Sequence, residues 1–354
     1  MEKFNNLQGL RTLGFIFIFL NHTWGMISPT KPFGFGSRGV EIFFILSGFL
    51  IAYHYSDKNL PSSWRDSLSF MLQRLKKFYI LHFITFLVML AFFLYKFYMN
   101  GNIRYGDWQT FTFDAILNIT LLQSWYAPAA FSFNGVSWFL SDILFLYFLI
   151  PKTVQFFKDR KYSEHVVLFV FLIAIKLVLD TWGNKMVHTP DFFTWYLNPT
   201  YRFLDFLIGY SSCLALYKAD FKASPKVVSA VQIASIVIYL CACYFFKRYW
   251  LSAHYILLTL ILIYACTLKN GILDYLLGNP LAVHMGNISF ELYLIHNVVI
   301  GIAGYHISKH VGPVNIPQQV YRLSEKAVPP FRGKCTAYPP RCTAHSLGYD
   351  VKII

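Results

Sequence analysis

The sequence predicts an all-α, polytopic transmembrane helix bundle of about nine to ten spans, with one short re-entrant or half-helix. Three observations carry this expectation. Of the 354 residues, 56% are hydrophobic and only 14% are charged, against roughly 25% charged in soluble domains. Stretches free of Asp, Glu, Lys and Arg run over 12–30, 78–95, 227–246 and 249–268, each near the roughly 17–25 residues with which a tilted helix crosses hydrocarbon. Finally, Lys and Arg are unevenly shared between the two sets of alternate loops, the bias that sets membrane orientation. The net charge of +14 therefore reads as topology and implies no nucleic acid, because the basic residues lie in short loops rather than in one stripe.

Spans are expected at about 7–28, 39–56, 78–99, 137–157, 164–182, 201–217, 227–246, 249–268 and 288–308. The first apolar stretch is too long for a signal-peptide core of about 7–15 residues and contains polar residues, so it is expected to remain as a helix. Segment 113–126 is apolar but short, and Pro128, Asn134 and Gly135 follow it closely. It reads as a half-helix rather than a crossing. With the N-terminus inside, fifteen Lys and Arg fall on the inner side and eight on the outer, with Arg38 and Arg202 among the outer eight and Lys176 inside a span. A full crossing at 113–126 would put "KDRK" (158–161) outside, against that bias.

Residues 1–312 form the membrane domain on this reading. Residues 313–354 form an irregular basic tail containing Pro and Cys, which fits a disordered extension and an altered or truncated frame equally. Only Cys335 and Cys342 in this tail are placed to pair. Cys213, Cys241, Cys243 and Cys266 read as small core residues, and no metal site is expected.

The first helix carries the most informative chemistry. Eleven residues at about 100° each leave Arg11 and His22 only about 20° apart on one face and about 16 Å apart along the axis. Ionisable groups inside spans are costly and mark functional sites by default, and imidazole suits general-base work near neutral pH. The plainer alternatives are a snorkelling anchor for Arg11 and an interhelical hydrogen bond for His22. Elsewhere, Asp205 stands one helical turn from Arg202, a local ion pair by spacing, and Trp138 reads as an interfacial anchor. Glu291 and His296 do not share a helix face. His54, His82, His165, His188, His254 and His284 read as core or interface residues.

The opening "LQGLRTLGFIFIFLNH" resembles the first helix of acyltransferase family 3, bacterial integral membrane O-acyltransferases that modify cell-surface carbohydrates. The resemblance continues in order through "GVEIFFILSGFLIAY" (39–53), "RLKKFYILHF" (74–83), "SWFLSDILFLYFLIP" (137–151), "YRFLDFLIGY" (201–210) and "LGNPLAVHMGNISFELYLIHNVVI" (277–300). It implies an acyl-CoA donor, usually acetyl-CoA, from the cytoplasm, and a carbohydrate hydroxyl, lipid-linked or exported, as acceptor. His22 would be the catalytic histidine, and Arg11 would place the donor or stabilise developing negative charge. Arg74 and Lys77 would bind CoA phosphates. Lys77 stands where the family usually has a second arginine, keeping the charge but losing the bidentate fork; positive-inside charge is the alternative for both. Glu41 matches an acidic family position and would orient His22 or pair with an arginine across helices, unless it is an interfacial carboxylate. Ser137, Ser141 and Asp142 would line the acceptor path, although many members carry a glutamate where Ile143 stands. His296 matches a recurrent family position without an assigned part. The implied protein is a multi-pass enzyme of the inner (cytoplasmic) membrane with a cytoplasmic N-terminus. A transporter or flippase for a sugar or anionic substrate, and an inactive truncated acyltransferase, are the competing readings.

Overall fold

The computed structural model describes residues 4–27, 35–100, 107–185, 195–217, 223–245 and 253–311. The expected tail at 313–354, with Cys335 and Cys342, lies outside the described residues. Among the described residues there is no strand, and each expected span finds a helix: α1 (Asn5–Ile27), α2 (Phe35–Tyr55), α3 (Trp64–Asn100), α4 (Trp108–Ile119), α5 (Ala127–Ala130), α6 (Trp138–Phe157), α7 (Tyr162–Lys185), α8 (Pro199–Leu216), α9 (Pro225–Phe245), α10 (Ala253–Thr267), α11 (Ile272–Leu276), α12 (Pro280–Asn287) and α13 (Ser289–Val311). Six of them, α2, α3, α6, α7, α9 and α13, are long and apolar enough to cross a membrane.

The remaining expected spans differ for physical reasons. Helices α1 and α8 are long enough but carry polar residues that face the protein interior, and α10 has 15 residues, about 23 Å. Helix α3 starts well before residue 78 and has 37 residues, about 55 Å. That is nearly twice a hydrocarbon core of about 30 Å, so one end, with Arg65, Arg74, Lys76 and Lys77, extends beyond it.

The segment expected to be a half-helix is one. Helix α4 has 12 residues and starts on Asp107, whose side chain accepts from the Thr110 N–H. It stops where Leu121 takes a positive φ of 57°, and a 3-10 turn (Gln123–Trp125) leads into α5. The reversal is held by side chains. His82 of α3 bonds the Asn118 carbonyl at 2.9 Å, and Asn118 donates to Ser132 at 2.5 Å.

Helix α2 is the most enclosed of the six apolar helices, and α7 the least. Close approach between α2 and α8 rests on two glycines: a Cβ on Gly48 would strike the Phe206 carbonyl, and one on Gly209 would strike the Ile45 carbonyl. Small residues that let backbones meet are how helices pack where lipid removes the hydrophobic drive between them.

Candidate active site

Burial sorts the candidate residues into three groups. The first is at the early end of α1. Arg11 donates to Gln8 at 3.2 Å, and the Tyr147 hydroxyl of α6 lies within electrostatic range of both Arg11 and Arg74. Arg74 in turn donates to the Tyr55 hydroxyl at 2.8 Å and lies 5.1 Å from the Phe70 ring centre. Thus α1, α3 and α6 bring two guanidiniums around one tyrosine. Lys77 follows one turn later on α3 and is exposed, so this end offers cations both inside and at its rim.

The second group is at the other end of α1. His22 is buried, and its Nδ1 lies 2.8 Å from Nε2 of His296 on α13. The two rings are within 6° of parallel. His296 is bonded through Nδ1 to the Tyr293 carbonyl at 2.6 Å, and Phe15 and Phe19 stand against its ring. Sequence reasoning left His296 without a part, because its partner lies 274 positions away. Glu291 is exposed while His296 is buried, as their angular offset requires.

The third group is a set of buried charges. Both Glu41 oxygens accept from the Arg38 guanidinium, at 2.8 and 2.7 Å. The arginine that pairs with Glu41 is therefore one turn away on its own helix, not across helices. Arg38 also lies 3.9 Å from the Tyr255 ring centre. Arg38, expected among the outer-side cations, is buried, at 2% exposed. The same holds for Arg202, which is 0% exposed and pairs with Asp205 at 2.9 Å. Asp205 also meets Lys176 at 2.9 Å, Lys176 meets Asp180 at 3.3 Å, and the Tyr201 hydroxyl donates to Asp180 at 2.5 Å. The local Arg202–Asp205 pair anticipated from spacing is thus one edge of a network joining α7 and α8. Buried ions of this kind are tolerated only when paired with opposite charges and closely packed.

Ser137, Ser141 and Asp142 are all fully enclosed. Ser137 ties α6 to the half-helix by donating to the Asn118 side chain at 3.3 Å and accepting from Gln123 through its carbonyl at 2.9 Å. Among the described residues the Ser141 hydroxyl has no hydrogen-bond partner, and Asp142 has the Ser124 hydroxyl and the Arg202 charge as its polar neighbours. Trp138 is buried against Tyr196 and Phe139, which corrects its expected place as an interfacial anchor. Cys213, Cys243 and Cys266 are buried as expected, whereas Cys241 is exposed on α9.

The arrangement therefore has a cationic end and an imidazole end on one helix, with interior packing between them. A family described as an acyltransferase domain matches residues 4–321. Acyltransferase MdmB from Streptomyces mycarofaciens is 26% identical over 283 residues, covering 75% of this chain and 68% of its own length. No solved structure matches the chain.

Proposed function

The chain belongs to this acyltransferase family, and from that premise we propose that it moves an acyl group, acetyl in the first instance, from cytoplasmic acyl-CoA to a hydroxyl of a cell-surface or exported glycan. On this reading the protein sits in the inner membrane with its N-terminus in the cytoplasm. Arg11, Arg74 and Lys77 receive the phosphates of CoA, Arg through charge-assisted hydrogen bonds and Lys as a point charge. The pantetheine arm carries the thioester along α1 to His22. There the imidazole takes the acceptor's proton as its oxygen attacks the thioester carbonyl. Ser137, Ser141 and Asp142 border the acceptor's approach, and the Arg38–Glu41 pair holds α2 beside the site.

The observation that supports this reading is the polarity of α1, with Arg11 among cations at one end and buried His22 at the other. Deleting the gene and restoring it as wild type or as His22→Ala tests it. Wild type should return acetyl esters to the surface glycan; His22→Ala should not, while still being stabilised thermally by coenzyme A, which favours the native state in proportion to occupancy. Full acetylation by His22→Ala would refute the assignment.

A further inference from the structure

We infer that His296 is a positioning residue that locks His22 into the one tautomer able to act as a base, through a carbonyl–imidazole–imidazole relay. The inference rests on the acyl-transfer reading above for its purpose, but its geometry stands alone. A carbonyl oxygen only accepts. The 2.6 Å contact from His296 Nδ1 to the Tyr293 carbonyl therefore places a proton on that nitrogen. The Leu292 carbonyl, also within hydrogen-bonding reach of His296, reinforces the same assignment. In a neutral ring the other nitrogen then carries a lone pair, so His296 Nε2 is an acceptor. A charged His296 would instead bury an imidazolium beside the imidazole of His22, which the loss of water in the interior opposes.

The acceptor Nε2 of His296 lies 2.8 Å from His22 Nδ1. His22 Nδ1 must therefore donate, and the lone pair of His22 is on Nε2. Each step follows from the previous one while both rings are neutral, and the chain starts from backbone, which cannot change its role. A carboxylate does the same for the histidine of a serine-protease triad, fixing tautomer and ring orientation and stabilising the imidazolium that forms. Here a second imidazole does so without placing a further charge in the membrane.

The reaction then balances. The acceptor O–H proton passes to His22 Nε2 while the new O–C bond forms. The C–S bond breaks, and the imidazolium, steadied by the lone pair of His296, returns the proton to the departing thiolate. The products are the ester and CoA thiol, with both rings back in their starting state.

Two measurements test the relay. In protein labelled with 15N-histidine and reconstituted in lipid, solid-state NMR reads which nitrogen of each ring is protonated, with His22→Ala and His296→Leu assigning the signals among the eleven histidines. Both rings should be protonated on Nδ1; a proton on Nε2 of His22 overturns the inference whatever the activity proves to be. The second is acetyl-CoA-dependent thiol release in membrane vesicles supplied with a glycolipid extract. His296→Leu should lower kcat about 100-fold, the lower end of what positioned general-base catalysis contributes, with KM for acetyl-CoA unchanged. His296→Gln, whose side-chain oxygen can accept from His22 Nδ1, should recover most of the loss. Wild-type kcat in His296→Leu, or equal loss in the Gln and Leu variants, would overturn the relay. Full activity in His22→Ala would instead sink the acyl-transfer role of His22, and the tautomers would still decide the relay.

Discussion

Asp205→Asn should be among the most destabilising single changes in the protein, and the network explains by how much. Asp205 is 0% exposed and lies 2.9 Å from both Lys176 Nζ and an Arg202 guanidinium nitrogen. At an effective dielectric of about 20, a unit-charge pair at this distance has roughly 6 kcal/mol of attraction, most of it offset by the cost of taking the ions out of water. Within the network, Lys176 and Arg202 balance Asp180 and Asp205. Removing one carboxylate leaves a surplus cation, and breaking a buried pair in this way costs about 3–5 kcal/mol. Asparagine keeps the shape and isolates the charge. Folded fraction against SDS in mixed micelles would read the loss. Lys176→Met in the same chain removes the surplus cation, so the double variant should be more stable than the sum of the single losses by about 0.5–3 kcal/mol, the usual coupling of residues in contact. An Asp205→Asn protein within about 0.5 kcal/mol of wild type, or singles that simply add, would refute the charge-balance argument.

Three further outcomes follow from other parts of the molecule. Gly48→Ala would drive a methyl group into the Phe206 carbonyl, a rigid neighbour, so it should cost about 1–3 kcal/mol by overpacking; the same SDS titration reads it, and a neutral result would mean that α2 and α8 part freely. Arg74→Ala should raise KM for acetyl-CoA about 10-fold or more at unchanged kcat, since a charge-assisted hydrogen bond is worth about 1.5–3 kcal/mol, and Lys77→Arg should lower it by restoring a bidentate donor; a fall in kcat alone in Arg74→Ala would remove the phosphate role. The Thr110 N–H and hydroxyl hold the Asp107 carboxyl below its ordinary value. Its stabilisation of the α4 start is therefore present above the unfolded pKa of about 3.9 and lost as pH falls through the lower folded value. Hydrogen exchange over 108–111, measured relative to Asp107→Asn, should show protection that disappears on acidification, and a pH-independent ratio would contradict this.

Much of this was legible in the sequence where a signal is local. Apolar runs gave the helices, and the short apolar stretch closed by Pro128 and Gly135 gave the half-helix, although not its stop at Leu121, a non-glycine residue in the left-handed region that carries no compositional mark. The face shared by Arg11 and His22 follows from helix geometry alone. Arg38 and Arg202 show where local reasoning divides: both sit three residues before an acid, yet only the second spacing lies inside an expected span, where an ion pair is anticipated. Arg38 stands at the edge of an apolar run, where a charge tally counts it without weighing partners. The His22–His296 contact has no local sequence signal beyond the family position of His296, since it is made by two helices from opposite ends of the chain. Trp138 departs from its expected interfacial place for a related reason: its indole faces Tyr196 and the Arg202 guanidinium, 5.9 Å from the ring centre, and a tertiary cation overrides the interfacial preference of tryptophan.

The buried ions and the imidazole pair are mechanically related although they are distinct sites. On the proposed reading, a base held by a 2.8 Å contact to another helix is useful only if both helices keep their places to within about 0.5 Å, and lipid contact does not by itself fix where α1 sits. Its place comes from neighbours instead. Thr12 donates to the Ala282 carbonyl of α12 at 2.6 Å, and Gly39 of α2 lies so close to Gly14 that a Cβ there would strike its carbonyl. Helix α2 is seated on α8 by Gly48 and Gly209, and α8 is clamped to α7 by the Lys176–Asp205 and Tyr201–Asp180 contacts. The buried charges of α7 and α8 thus lie two helices from His22 and, on the proposed reading, hold the frame that aims it.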